Sequence, residues 1–297
     1  MASLVSGASA LLAAALAPAS AAQYQRSWSK FEQFARSVLN IAPFPASPSS
    51  IALFIAHLAS PPQPSSTATI ATYISALAYV HKLKGAPDPT NDFLIRKILK
   101  GASKSTQASD LRVPVTPPML LALIRAASNV ANSPHESCLM QAMFSTMFHA
   151  FLRIGEVTTS PHNILTSQVV VLPSTVSITF LSFKHHCGQP FTLSIPASSS
   201  TEVCPVLLLS RYLTLRGRAD GPLFCHMNNA PIQPAKFREF LNIANLSSSH
   251  ITPHSFRIGA ATYAATQGSS SQQIQAMGRW KSSAFQKYIR VRSISFP

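Results

Sequence analysis

Residues 252–268 read TPHSFRIGAATYAATQG, and this stretch decides the fold of the second half of the chain. Thr252 is a good N-cap and Pro253 suits the first helical position, so a helix is predicted to begin here. His254 and Arg257 are three residues apart and would project from one face of its first turn. Two such donors at the positive end of a helix dipole form a pocket for a phosphate, although an exposed polar face is the alternative. The other side is small and apolar, which predicts close packing against another element: Phe256, Ala260, Ala261 and Ala264.

A second segment, GRWKSSAFQKYIR at residues 278–290, follows in the same half of the chain. Gly278 is predicted to close one helix, and the serines at 282–283 to open another. Trp280 lies in the junction, where its indole N–H would donate to an oxyanion. Tyr288 follows Phe285 by three residues and shares its helical face, so packing in an apolar core is the default interpretation of this tyrosine.

A third segment, FLRIGEV at residues 151–157, contains an arginine that is predicted to end a long buried helix. A guanidinium that emerges from an apolar helix needs a partner, and Glu156 would pair with Arg153 and hold it rigid. The alternative is an arginine that caps the carboxyl end of a helix.

A fourth segment is a predicted hairpin in which Phe183 ends a strand and Lys184 begins the turn. A lysine on a hairpin tip would reach a neighbouring groove and deliver a proton, although most such lysines keep a sheet edge soluble. The adjoining run His185-His186-Cys187 lacks a second ligand pair, and the four cysteines form no C-x-x-C pair. We therefore predict reduced thiols and no metal site.

The remaining pattern predicts a mainly α protein with one small antiparallel sheet. The N-terminal half predicts helices at 24–39, 51–59, 67–84 and 91–103, the second of them behind a serine cap. Polar residues 105–118 then predict a linker before helices at 119–127 and 136–152, the latter apolar almost all round. Strands are expected at 169–172, 176–183 and 191–195, and helices from 206 onward. The predicted domains are 23–104 and 119–297, preceded by residues 1–22 as an Ala-rich leading helix or a disordered segment.

The N-terminal segment 8–18, ASALLAAALAP, resembles the apolar part of a secretion signal. No lysine or arginine precedes it, since the first is Arg26, and it is expected to lead without a break into the next helix. It is also shorter than the roughly 20 residues that a membrane span needs. We therefore predict a leading helix, with a cleaved signal as the alternative.

Charge indicates the class of partner. Lysine and arginine number 24 against 9 acidic residues, a formal charge of +15, and the excess is spread over both halves of the chain. Such an excess of positive charge favours a polyanionic binding partner, either nucleic acid or an acidic membrane surface.

Taken together in chain order, Arg153, Lys184, His254 with Arg257, Trp280 and Tyr288 resemble the active-site series of the tyrosine recombinases, the phage-integrase family. HSFRIGAAT and GRWKSSAFQKYIR are similar to the eukaryotic branch found in DIRS-type and Crypton-type mobile elements. In bacterial relatives a histidine usually stands where Trp280 does, and the tyrosine lies one residue further on. The resemblance covers nearly the whole chain. It implies a helical, SAM-like core-binding domain in front of an α+β catalytic domain.

The resemblance also implies a reaction, the cutting and rejoining of DNA through a 3′-phosphotyrosine. Tyr288 would attack the scissile phosphate, whose non-bridging oxygens Arg153 and Arg257 would clamp. His254 and Trp280 would hydrogen-bond the same phosphate, and Lys184 would protonate the leaving 5′-oxygen. No metal or other cofactor is implied, because the guanidinium pair neutralises the phosphate charge.

The implied partner is double-stranded DNA. In the family, four protomers synapse two duplexes and exchange a C-terminal segment, so a homotetramer on DNA and a monomer or weak oligomer without DNA are expected. Only nine residues follow Tyr288, which is short for such an exchange. Weaker contacts, another element such as the Ala-rich helix, or an incomplete chain would each account for this. The similarity to eukaryotic motifs implies that the protein is located in the nucleus and is neither secreted nor bound to a membrane.

Three alternatives stay open at the level of sequence. A catalytically silent, domesticated DNA-binding protein would keep the fold and lose the chemistry. A type IB topoisomerase would use the same chemistry to relax supercoils. A secreted helical protein would lose its first 22 residues.

Overall fold

The computed structural model describes residues 2–105, 111–183, 189–217, 219–244 and 250–290. They fold into two compact units, Met1–Asp110 and Leu111–Pro297. Helices dominate both units, and a small three-stranded antiparallel sheet belongs to the second. The predicted fold class is therefore confirmed.

The first unit is a helical bundle. Its described helices are α1 (Ala2–Ala14), α2 (Pro18–Ser37), α3 (Pro48–Ala59), α4 (Thr67–Leu83) and α5 (Phe93–Ser105), with a 3₁₀ turn at Pro89–Asn91. The hydroxyl of Ser47 accepts a hydrogen bond from the Ser50 N–H and so caps α3, which begins three residues before the predicted start at residue 51. The apolar sides of α2 to α5 meet around fully buried Phe31, Phe54 and Ile70.

The Ala-rich segment forms a helix of its own. Its described side chains are exposed, with Leu4 and Leu11 each 76% accessible. The expectation that it continues without a break is wrong, because residues 15–17 interrupt the helix and Pro18 starts α2. Proline cannot continue a preceding helix, because it has no N–H to donate to the carbonyl four residues earlier. It fits the first turn of a new helix, where N–H groups have no partner within the helix. In the described part of the chain, no helix is long and apolar enough to cross a bilayer.

The second unit surrounds a long buried helix. Its described helices are α6 (Pro117–Val130), α7 (Pro134–His149), α8 (Ile154–Val157), α9 (Pro205–Arg216), α10 (Pro234–Ala244), α11 (Pro253–Thr266) and α12 (Ser271–Met277). Short 3₁₀ helices occur at Thr166–Gln168, Thr201–Val203 and Ser283–Tyr288. Every residue of α7 from Cys138 to Phe148 is buried, which explains its apolar character on all sides.

Helix α7 ends earlier than its sequence pattern predicts. It stops at His149 rather than at residue 152, because Phe151 adopts the left-handed conformation with φ of 53°. The early end frees the carbonyl oxygens of Ala150 and Phe151 from the helix. Both become acceptors for arginine side chains of the site described below.

The sheet is an antiparallel meander of β1 (Val169–Val171), β2 (Thr175–Phe180) and β3 (Phe191–Pro196). Ile178 faces Leu193 across the central pair, and Phe180 faces Phe191. Alternate residues of β2 are buried, so one face of the sheet lies on the core while Ser177 and Thr179 lie on the other. Strand β2 ends at Phe180, before the predicted residue 183. Residues 184–188, which include Lys184 and the His-His-Cys run, lie outside the described residues.

The small face of α11 is buried as predicted, with Phe256, Ala260 and Ala261 all inside apolar clusters. A Cβ atom added to Gly259 would lie 2.0 Å from the carbonyl oxygen of Val115. The Val115 N–H in turn donates to the Ser255 carbonyl at 3.0 Å. The segment that enters the second unit is therefore held against the first turns of α11, at a separation that only glycine permits.

Candidate active site

The start of α11 agrees with its sequence pattern. Thr252 is the N-cap and Pro253 occupies the first turn. The Ser255 hydroxyl accepts a hydrogen bond from the Thr252 N–H at 3.0 Å, which fixes the entry of the chain into the helix. His254 and Arg257 consequently lie in the first two turns, although they have different environments.

Arg257 is completely buried. Its guanidinium donates to the carbonyl oxygens of Phe151 and Gly278, and the indole of Trp280 covers it at 4.1 Å from ring centre to guanidinium carbon. Burial, followed by the charges of Arg153 and Arg279, lowers its pKa well below the ordinary value. A cation held in this way has a strong preference for a nearby anion.

Trp280 lies directly over Gly278. A Cβ atom on Gly278 would stand 1.6 Å from the indole Cζ3 atom, so only glycine leaves room for the ring. Gly278 ends α12 and Trp280 lies in the junction before the next helix, as predicted. The indole ring centre is 5.3 Å from that of Tyr288 and 6.2 Å from that of Phe151.

Tyr288 ends the 3₁₀ helix Ser283–Tyr288 and lies beside His254, with 5.0 Å between the ring centres. The Thr262 hydroxyl of α11 donates to the Tyr288 carbonyl oxygen at 3.1 Å and accepts from the Arg290 N–H at 3.1 Å. Thr262 therefore anchors the backbone on both sides of residue 289 and holds the tyrosine against α11.

Arg153 is the N-cap of the short helix α8. The prediction that it ends the buried helix is wrong, because α7 stops four residues earlier, at His149. Its predicted partner is correct: the Arg153 Nη1 donates to Glu156 Oε1 at 3.2 Å, and its backbone N–H donates to Oε2 at 2.8 Å. Glu156 is buried, whereas the Arg153 side chain is 23% exposed.

Arg279 belongs to the site and was missed by the sequence analysis. Its Nη2 donates to Glu156 Oε2 at 2.8 Å in an ion pair that is almost wholly buried. The guanidinium lies 3.8 Å from the centre of the Phe180 ring, and burial lowers its pKa from the ordinary value. One signal was present in the sequence, because Arg279 directly precedes Trp280, which was assigned to the site.

These residues surround a cavity of about 460 Å³. Four of the six predicted side chains line it, namely Arg153, His254, Trp280 and Tyr288, together with Arg279 and Lys281. Arg257 lies behind the wall formed by Trp280 and does not line the cavity. Lys184 falls outside the described residues. Four cations and the Glu156 carboxylate therefore lie at or behind one cavity, an arrangement suited to an anion such as a phosphate diester.

Comparison with known proteins gives a fold but no close relative. No protein-family model matches the sequence, and no curated protein matches it. Among solved structures, a lambda integrase dimer bound to a core DNA site matches with a TM-score of 0.66 and 16% identity, over 100% of this chain and 98% of that one. The chain has the fold of the tyrosine recombinases.

Two further recombinase structures agree with this assignment. The XerH site-specific recombinase in a post-cleavage complex matches with a TM-score of 0.65 and 16% identity, over 90% of this chain and 74% of that one. The Tn1549 transposon integrase in complex with transposon right-end DNA matches with a TM-score of 0.65 and 15% identity, over 94% and 91% of the two chains. At these identities the likeness to tyrosine recombinases shows the architecture of this chain and not its chemistry.

Proposed function

We propose that this protein is a site-specific DNA recombinase or integrase that cuts and rejoins DNA through a 3′-phosphotyrosine at Tyr288. The observation that carries the proposal is the convergence of Tyr288, His254, Arg153 and Trp280 on one cation-rich cavity. A phenol beside a histidine and several guanidinium groups is suited to phosphoryl transfer, because the anionic oxygens of a diester need neutralising before a nucleophile approaches.

The proposed step exchanges one phosphate ester for another. The Tyr288 oxygen forms a bond to phosphorus, and the bond from phosphorus to the 5′-oxygen breaks. His254, whose ring is next to that of Tyr288, would accept the phenol proton, and Lys184 would give a proton to the departing 5′-oxygen. Because the new ester conserves the energy of the old bond, a 5′-hydroxyl reverses the step and rejoins the strand.

The two arginines of the proposed clamp differ in access to the phosphate. Arg153 lines the cavity, and Glu156 holds its guanidinium. Arg257 is covered by the Trp280 ring, so in this arrangement it would add positive charge near the phosphate without touching it. Direct contact between Arg257 and a phosphate requires the indole ring to swing aside, after which the Trp280 N–H would be one of the donors to the phosphate.

Double-stranded DNA is the proposed partner. The formal charge of +15 predicts an affinity that falls steeply with salt, because bound lysines and arginines release counterions from the phosphates. We further propose a tetramer on synapsed DNA, a mobile-element origin of the eukaryotic DIRS or Crypton type, and a nuclear location. The proposed division of labour assigns residues 23–104 and 119–297 to DNA binding and catalysis respectively, with 105–118 as the linker.

A trapping experiment with DNA of randomised sequence tests the proposal. Duplexes with a random core and a nick near the cleavage point lose the short cleaved fragment by diffusion, so the covalent adduct accumulates. The wild-type protein is expected to form an adduct that survives denaturing electrophoresis. Sequencing the trapped DNA then identifies the target.

Two tyrosine variants serve as matched controls. Tyr288→Phe should form no adduct, whereas Tyr263→Phe, at an exposed position of α11, should form as much as wild type. Absence of adduct from the wild-type protein, with DNA binding intact, would leave only a DNA-binding function. A second assay with two copies of the recovered target on one plasmid separates recombination from relaxation of supercoils.

A further inference from the structure

Arg279 joins three parts of the second unit. Its Nη2 donates to Glu156 of α8, and Nη1 donates to the Ala150 carbonyl oxygen at the end of α7, at 3.3 Å. Its guanidinium also stacks on Phe180 of β2. The side chain is only 1% exposed, so these contacts are shielded from water. A movement of Arg279 would therefore be transmitted to the elements beside the cavity.

Glu156 is shared between two arginines. Its Oε2 accepts from the Arg279 guanidinium and from the Arg153 backbone N–H, each at 2.8 Å, while Oε1 accepts from the Arg153 guanidinium at 3.2 Å. The carboxylate therefore fixes both the backbone and the charged end of Arg153. Because Glu156 is 2% exposed, protein groups rather than water determine where its oxygens lie, and Arg279 is one of them.

Stability alone is a weak reason for this arrangement. The desolvation of a buried ion pair consumes much of its attraction, and apolar residues of similar volume often replace such pairs without loss. Arg279 also carries a buried Nε–H that meets no acceptor in the described part of the chain, which is a further cost. The role of Arg279 is better explained by what it holds in place.

We propose that Arg279 is a positioning residue that, through Glu156, fixes the guanidinium of Arg153 in the orientation that meets the scissile phosphate. This inference rests on the proposed function, in which Arg153 binds that phosphate. Arg279 acts on the phosphate through Arg153 and not by contact. A donor that is already oriented needs no rearrangement in the transition state, so the loss of Arg279 lowers the rate of cleavage more than the affinity for DNA.

Single-turnover cleavage of the nicked duplex at saturating DNA gives the first test. Arg279→Met is expected to slow cleavage by about 100-fold, the scale of one lost donor, while the Kd for DNA changes by less than about threefold. Arg279→Lys keeps the positive charge but lacks the planar set of donors of a guanidinium, and should cleave about tenfold faster than Arg279→Met. Arg238→Met removes the same charge from an exposed position of α10 and should leave the saturated rate unchanged.

A double-mutant cycle distinguishes positioning from an independent role. In an Arg153→Lys background, where cleavage is already slow, adding Arg279→Met should cost less than about threefold, because its effect passes through the residue already changed. Losses that multiply in the double variant would overturn the proposal. So would a fall in DNA affinity that parallels the fall in rate.

A binding measurement keeps the inference testable if the wild-type protein forms no adduct, which would refute the proposed function itself. The chain has two tryptophans, so Trp28→Phe leaves Trp280 as the fluorescent reporter beside the cavity. Orthovanadate resembles the five-coordinate phosphorus of the phosphoryl-transfer transition state. It is titrated against the Trp28→Phe protein with and without Arg279→Met. Binding should weaken at least about tenfold in the variant, at a temperature where both proteins are folded, and equal affinity would overturn the inference. If Arg279→Met fails to fold, Arg279→Lys makes the same comparison.

Discussion

The guanidinium of Arg257 lies 4.1 Å from the centre of the Trp280 indole ring, and Gly278 determines how the two come together. The Gly278 carbonyl oxygen accepts a hydrogen bond from Arg257, while its missing side chain leaves the space that the ring fills. A cation and an aromatic ring shielded from water attract each other by up to about 2 kcal/mol. The cover over Arg257 therefore depends on a residue that takes no part in the proposed chemistry.

Gly278→Ala tests this dependence. Gly278 has φ of −82°, which alanine adopts freely, so the effect of the change is steric. The new methyl group would collide with the Trp280 ring, and overpacking of this kind costs about 1–3 kcal/mol. We expect a lower free energy of unfolding in urea. Adduct formation should also be slower, because a ring displaced by the methyl group no longer packs in place beside Tyr288.

Gly101→Ala in α5 is the control for Gly278→Ala, because no atom lies within 4 Å of the added methyl group. It should stabilise the first unit by up to about 1 kcal/mol. A Gly278→Ala protein with wild-type stability and cleavage would show that the ring does not depend on this glycine.

Thr262→Val removes the hydroxyl that anchors Tyr288 and keeps the side-chain shape. Both hydrogen bonds, to the Tyr288 carbonyl oxygen and from the Arg290 N–H, are lost. We expect cleavage at saturating DNA to slow by about tenfold, because the nucleophile is less firmly oriented. Thr266→Val removes a hydroxyl that bonds only within the exposed end of α11 and should have no effect on cleavage. Equal rates for the two variants would contradict the anchoring role.

Acid is expected to weaken the second unit through His149. Burial lowers the pKa of this histidine below its ordinary value of 6.5, so the unfolded chain takes up a proton at a higher pH than the folded protein. The unfolded state thus binds more protons as the pH falls through about 6.5, and stability falls with it by at most about 1.4 kcal/mol per pH unit. Above that pH His149 is neutral in both states, and its contribution to the free energy of unfolding no longer changes with pH.

Urea unfolding at about pH 7.5 and about pH 5.5 measures the contribution of His149. In His149→Phe the loss of stability between the two should be smaller, because the ring no longer titrates. An identical loss in wild type and variant would assign the pH dependence to other groups.

Lys184→Ala tests the proposed proton donor, which lies outside the described residues. Cleavage should slow by about 100- to 1000-fold on an ordinary duplex. A substrate whose 5′-oxygen at the cleaved bond is replaced by sulfur has a leaving group that needs no proton, and should restore most of the rate. Absence of rescue would give Lys184 another role.

Local sequence signals predicted local structure well. The start of α11 followed from Thr252 and Pro253, because capping depends on neighbouring residues. Alternating β-branched residues predicted the sheet. The three-residue spacing of Arg153 and Glu156 predicted their ion pair. The end of α7 was misplaced because an apolar run continues past His149, and nothing in it marks the left-handed turn at Phe151.

Contacts between distant segments could not be predicted from the sequence. Arg279 meets Glu156 across 123 positions of the chain, so no spacing rule connects them. Arg257 was expected to reach the phosphate directly, whereas its position behind Trp280 depends on how α7, α11 and α12 pack together. Helical periodicity predicts which face of a helix is buried, but not which side chain from another helix covers it.

The identity of the nucleophile is tested most directly by mass spectrometry of the covalent adduct. After nuclease and protease digestion, the wild-type adduct should yield a peptide in which the oxygen of Tyr288 carries a phosphate joined to the 3′-end of a nucleotide. A phosphonucleotide on any other residue, or adduct formation that persists in Tyr288→Phe, would contradict the assignment of Tyr288 as the residue that cuts DNA.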